Sequence, residues 1–257
     1  MSGINFLSDN QLDYGSFTIT TGAANAQFPI ENLQLAPTAK KFRSTGNTVV
    51  FEIDLGTNRN MDTVAIVGDA TGDLGVTDVS IKTSLTTDFS LSPTITLNLS
   101  NQHNIGYEFF TGVAHRFVEV TLTGTGSYAE LSNIFIGERI NIPLNSFSID
   151  SFRYENQDRS RVRENEYGTK FIDSKNYQRK ISGSIQYCTK DEFQTLDNMF
   201  LYHGVRRPLW LILDPDDSAM NDSSYRLAMY SYLDSVPAWS ASGGQTYNCS
   251  VKLEQVI

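Results

Sequence analysis

From Val49 to Glu138 the chain returns, roughly every ten to fifteen residues, to a strand-length apolar run closed by turn residues, and no run carries a helical period. This rhythm constrains the fold more than any motif does. VVFEIDLG alternates, with Val49, Phe51, Ile53 and Leu55 on one face and Val50, Glu52 and Asp54 on the other. MDTVAIVG, ending at Gly68, is more continuously apolar and reads as a better-buried strand. TDVSIKTS, TITLNLS, HRFVEVTLTG and AELSNIFIGE continue the series. In HRFVEVTLTG, Phe117 shares a face with Glu119, Thr121 and Thr123, opposite Arg116, Val118, Val120 and Leu122. Short strands separated by Gly, Asn, Asp and Ser pack as a sandwich or jelly roll.

The rhythm breaks at ERINIPLNSF, where Pro143 punctuates a restart. Beyond it come SFSIDSFRYEN, a long polar stretch, KISGSIQYC, one helix and three further strand-like runs. The helix lies in TKDEFQTLDNMFLYHG. Thr189 and Glu192 have capping-box spacing, Phe193, Leu196, Met199 and Phe200 form a stripe, and Gly204 is a stop signal. The expected fold is therefore mainly β: a jelly-roll sandwich, then a smaller α+β domain built from a sheet or barrel plus one helix. The expected divisions are an N-terminal arm (1–23), the jelly roll (24–140) and the α+β domain (141–257), with a long loop at 153–180.

Composition narrows the function. The net charge is −9. Residues 1–140 hold 7 Lys and Arg against 14 Asp and Glu (7 − 14 = −7), and the remainder hold 13 against 15 (13 − 15 = −2). That balance argues against nucleic acid as a partner. No run approaches the roughly 20 apolar residues of a membrane span. The N-terminus lacks the pattern of a signal peptide, so the expectation is a chain made in the cytoplasm of its host cell. The two cysteines, Cys188 and Cys249, read as buried free thiols, and a disulfide would need neighbouring strands.

Chemistry is sparse. GxSxG, GxxxxGK[ST] and HExxH do not occur, His103, His115 and His203 show no triad logic, and no zinc spacing exists. No catalytic residue, metal or cofactor is expected, and the chain is not read as an enzyme. LDPDDSAMNDSS and GDATGDLGVTD each cluster carboxylates but lack EF-hand spacing, and both read as solvated turns. The stretch 153–180 is richer. Arg153, Arg159, Arg161, Arg163, Lys170, Lys175, Arg179 and Lys180 alternate with five acids, giving 8 − 5 = +3, and with Tyr154, Tyr167, Phe171 and Tyr177. Mixed signs disfavour nucleic acid, whereas Arg and Tyr are residues of protein–protein contacts. Arg153, Tyr154, Arg159, Arg161, Arg163, Tyr167, Lys175, Tyr177, Arg179 and Lys180 are therefore subunit-interface candidates, on a loop that a partner orders. A floppy solvated hairpin is the alternative.

Four pieces in order, FPIENLQLAPTAKKFRS, VVFEIDLGTNRNMDTVAIVGDA, HRFVEVTLTG and AELSNIFIGE, resemble the galactose-binding-like (discoidin-like) jelly roll over residues 28–140. That resemblance makes Asp54–Gly56 the end of a core strand and Thr57–Met61 its corner. It implies a carbohydrate site in the loops after Gly68 and around 101–107, with Asp69, Asp73 and Tyr107 as candidates and Phe89 and Tyr128 as further aromatics. The second half (SFRYEN, YGTKFIDSKNYQRKISGSIQY, the helix, RPLWLIL, YRLAMYSYLDS and YNCSVKLEQV), with NFLSDNQLDYGSFTIT before the jelly roll, resembles distal-tail and tail-tip (baseplate) proteins of long-tailed bacteriophages. That resemblance implies a structural virion protein that forms a three- or six-fold homo-oligomeric ring. Its implied partners are the tail tube and hub or fibre proteins, and a host-surface glycan is the alternative. An iron–sulfur cluster, present in one related group, needs about four cysteines.

Overall fold

The computed structural model describes residues 3–68, 74–100, 103–143, 147–167, 169–173, 177–213, 228–242 and 246–256. In chain order the strands of the first part are β1 (Gly3–Leu7), β2 (Ser16–Thr21), β3 (Phe42–Arg43), β4 (Thr48–Val67), β5 (Val76–Ser84), β6 (Ile95–Thr96), β7 (Asn98–Ser100), β8 (Ile105–Gly124), β9 (Glu130–Leu131) and β10 (Asn133–Gly137). They continue as β11 (Arg139–Pro143), β12 (Phe147–Asp158), β13 (Arg161–Glu164), β14 (Lys170–Asp173) and β15 (Tyr177–Cys188). Helix α1 (Lys190–His203) follows, then β16 (Leu209–Leu213), β17 (Ala228–Leu233), β18 (Trp239–Ser242) and β19 (Thr246–Gln255). The protein is mainly β, as its strand rhythm requires. Two units separate: Met1–Asn141 with Leu209–Tyr230, and Ile142–Pro208 with Ser231–Ile257.

The first unit is the jelly-roll sandwich. Its sheet runs β10-β4-β8-β5-β6, with β2 also on β4 and β7 also on β8. Strands β4 and β8, 20 residues each, pair antiparallel from Thr48↔Thr123 to Val67↔Ile105. Val49, Phe51, Ile53 and Leu55 are buried as their alternation requires, and they meet Val118, Val120 and Leu122 in one core. The corner expected at Thr57–Met61 lies inside β4. The ladder slips between Asp54 and Arg59 and then resumes, so one bent strand replaces two. Gly56 takes φ +74° at that slip, and its N–H donates to the Asp54 carboxylate at 2.8 Å.

Two stretches of the segment read as an N-terminal arm, Gly3–Leu7 and Ser16–Thr21, are paired strand. β2 lies along β4, and β1 pairs with β16 from Ile4↔Leu213 to Leu7↔Trp210. Ile4, Phe6 and Leu7 are buried, which removes about 1.5–3 kcal/mol of apolar exposure per side chain.

In the second unit β15 pairs with β12 on one side and β19 on the other, and β19 also pairs with β18 and the end of β17. Helix α1 carries the expected capping box: Thr189 accepts from the Glu192 N–H, and Glu192 accepts from the Thr189 N–H at 2.8 Å. Its buried stripe is Leu196, Met199 and Phe200, with Phe193 stacked on Tyr247 at 4.3 Å. The described residues of 153–180 form a β-hairpin, the shape of the alternative reading, rather than a loop. Arg153 through Asp158 pair with Tyr177 through Ser182, and β13 and β14 pair beyond them. Opposite charges face each other at Glu155↔Lys180, Arg161↔Asp173 and Glu164↔Lys170. Those charges hid the strands from an apolar-pattern reading. Cys188 and Cys249 are free and buried, and burial pushes their thiols up to about 11 and about 12.

Candidate functional site

Two places stand out, one in each unit. In the second unit every residue of β13 and β14 is exposed. Cross-strand register puts Val162 beside Ile172 on one face, next to the Glu164–Lys170 pair, and Arg163 beside Phe171 on the other. Val162, Ile172 and Phe171 are 61%, 67% and 58% exposed, and Tyr167 at the turn is 84% exposed. A two-stranded ribbon of this kind has no core of its own.

Among the interface candidates, Arg153, Arg159, Arg161, Arg163, Tyr167 and Tyr177 lie exposed on this hairpin, and Tyr154 is half-buried. Lys180 pairs with Glu254 at 3.4 Å. Arg179 is a correction. It is buried, and both its Nε and its backbone N–H donate to Gln255 Oε1, at 3.1 and 3.2 Å. Burial lowers its guanidinium pKa, with Tyr154 opposing the shift. Arg179 ties β15 to the C-terminal strand and presents nothing to a partner. Lys175 lies outside the described residues.

In the first unit Asp69 and Asp73 also lie outside the described residues. Tyr107 is a second correction. It is fully buried and packs on Phe109 at 5.6 Å, because Ala65, its partner on β4, turns that face of β8 into the interior. It offers no ring to a sugar. Phe89 is buried as well. Tyr128 is 41% exposed, with the Arg43 guanidinium 4.3 Å over its ring. That guanidinium also lies 4.6 Å over Phe28 and pairs with Glu130, which Lys41 joins. This cluster closes the β3–β9 edge. Two histidines hold structural contacts: His115 Nδ1 meets Thr83 Oγ1 at 2.9 Å, and His203 Nδ1 donates to the Arg207 carbonyl. Among the described residues no three His, Cys, Asp or Glu side chains gather as a metal site.

A cavity of about 460 Å³ opens in the first unit between Asp9–Gln11, Asn58–Asn60 and Glu138–Ile140. Sequence reasoning missed it. Its one signal was the polar run Asn58-Arg59-Asn60 at a strand slip, read as a bare corner. Asn10, between the lining residues Asp9 and Gln11, bonds Ile134 O and the N–H groups of Leu12 and Ile136. Gln11 is buried, its Nε2 donating to Asp9 Oδ2 at 2.7 Å. The Arg59 guanidinium lies 4.7 Å over the Tyr14 ring. Arg139 pairs with Asp62 at 3.3 Å and lies over Phe109.

No protein-family model matches the chain, and no curated protein matches it. Among solved structures it is similar to CBM32-1 from a family 31 glycoside hydrolase of Clostridium perfringens, at 11% identity and a TM-score of 0.43, over 51% of this chain and 99% of that one. The family 32 CBM of C. perfringens NanJ, solved in complex with galactose, gives 14% identity and 0.41 over 51% and 98%. The lectin domain of lectinolysin, complexed with Lewis B antigen, gives 12% and 0.40 over 50% and 95%.

Proposed function

We propose that this protein is a structural component of a phage tail tip or baseplate, similar to distal-tail proteins, and that it acts by assembly rather than catalysis. The observation that supports this most is the β13–β14 ribbon. Val162, Ile172, Phe171 and Tyr167 are exposed on a two-stranded element that buries none of them in the isolated chain. A neighbouring subunit or the tail tube buries them, and Arg161 and Arg163 fix register through carboxylates. In this reading residues 141–257 build a closed three- or six-fold ring through heterologous contacts. The jelly roll of residues 24–140 serves as a decoration or a platform for fibres, and the protein resides in the virion. Light scattering of the purified protein across concentrations tests the reading. A closed oligomer is expected, and Val162→Asp with Ile172→Asp should dissociate it while the monomer stays folded. An oligomer indifferent to that double change sinks the reading.

The second reading is carbohydrate binding by the first unit, at the host surface. The observation that favours it is the polar cavity walled by planar amide, guanidinium and carboxylate side chains, the groups that bond sugar hydroxyls. A glycan array probed with the folded protein tests it, and silence removes it.

A further inference from the structure

We infer that the β13–β14 ribbon pairs face to face with the same ribbon of a second copy of this chain. The inference rests on the assembly reading and names the partner of its ribbon.

The register decides which residues share a face. Val162 lies across from Ile172, and two residues along each strand Glu164 lies across from Lys170. These four side chains stand on one face, and every residue of both strands is exposed. The face is a two-by-two array, an apolar row beside a row of one acid and one base. Turning a second ribbon over, about an axis between its strands and parallel to them, lays its β14 on β13. Each row then meets its own reverse. Val162 lies on Ile172 of the second copy, Glu164 lies on its Lys170, and Lys170 on its Glu164. Apolar surface meets apolar surface and each charge meets its opposite, on both sides of the two-fold axis at once. The opposite face carries Arg161, Arg163, Phe171 and Asp173, three charges to one ring, so covering it costs more desolvation.

The turn holds the array ready. The Asn165 N–H donates to the Thr169 carbonyl at 3.0 Å, and Asn165 Oδ1 accepts from the N–H groups of Tyr167 and Thr169 at 3.1 and 2.8 Å. A ribbon fixed in this way loses little freedom on docking. Two four-residue strands cover less area than a standard interface. Pairing is therefore concentration-dependent, and it strengthens where an assembly presents several ribbons together.

The test uses the full chain in two variants. Glu164→Lys gives a face with two bases and Lys170→Glu a face with two acids, so each variant alone sets like charges against each other. Their equimolar mixture sets base on acid at both positions. Sedimentation velocity is expected to show each variant associating about tenfold more weakly than the unchanged chain, and the mixture recovering that association. Circular dichroism should show both folded, since both positions are exposed. Each substitution also breaks the cross-strand pair within its own chain, and mixing cannot repair that, so recovery reports contact between copies alone. A mixture as weak as its components overturns ribbon-on-ribbon pairing and leaves the ribbon to a different surface. Variants that associate like the unchanged chain overturn it too. So does a closed species with an odd number of chains, because isologous contacts join chains two by two. In these cases the assembly reading stands if Val162→Asp with Ile172→Asp still dissociates the oligomer. A chain that stays monomeric at every concentration overturns both.

Discussion

Asp54 shows how far a single residue's environment reaches. Arg116 holds it bidentately, Nε to Oδ1 at 2.6 Å and Nη2 to Oδ2 at 2.7 Å, and the Gly56 N–H adds a third bond. The Arg116 bonds first, and the Gly56 bond second, bring its pKa from 3.8 to about 2. Because the folded value is the lower one, the pair adds stability above the ordinary carboxyl pKa and loses it as pH falls through about 2. Both side chains are more than a third exposed, so solvent screens the pair and its contribution is small. Asp54→Asn should lower the urea midpoint at pH 6 and lower it far less at pH 2. An equal loss at both pH values contradicts the assignment. The thiols behave oppositely. Burial holds Cys249 near 12 and Cys188 near 11, so iodoacetamide at pH 8 should leave both intact in the native protein and label both in urea. Labelling of the native protein would contradict their burial.

At the scale of elements, α1 and the hairpin make a contrast. The helix was legible because its signals are local: a cap, a box partner, a stripe and a glycine stop. Thr189→Ala removes the cap and should cost about 1 kcal/mol, read as a lower thermal midpoint. Thr189→Ser should restore it. The hairpin's signals are relational. Val162 matters because Ile172 lies across from it, and Glu155 because Lys180 does. Such pairs are invisible until the register is known, which is why residues 153–180 read as a loop. Tyr187 is a similar case: a non-glycine at φ +58°, where the β15 ladder slips and its N–H bonds Asn248 Oδ1 at 2.8 Å.

The whole chain does not divide at the point where its pattern changes. Leu209–Leu213 belongs to the first unit, because all five residues are buried there and Trp210 through Leu213 pair along β1. A fragment ending at Asn141 therefore leaves Ile4, Phe6 and Leu7 on an open edge. It should aggregate, or melt well below the full chain. A fragment as stable as the whole protein would show that β16 is dispensable.

The sequence by itself determined the class of fold, the β4 and β8 core faces and the helix, because periodicity, caps and turn residues act over a few positions. It also favoured buried free thiols at both cysteines, which sit in alternating strand runs, and the structure bears that out. Only the tertiary structure decided the rest. It turned Tyr107 inward and made Arg179 a structural tie, since a strand's two faces are equivalent until a neighbour covers one of them. It also gathered Gln11, Arg59 and Glu138 around one cavity. Those residues lie far apart along the chain, and only the pairing of β10 with β4, Asn133↔Val67 through Gly137↔Thr63, carries Glu138 back to the slip at Arg59.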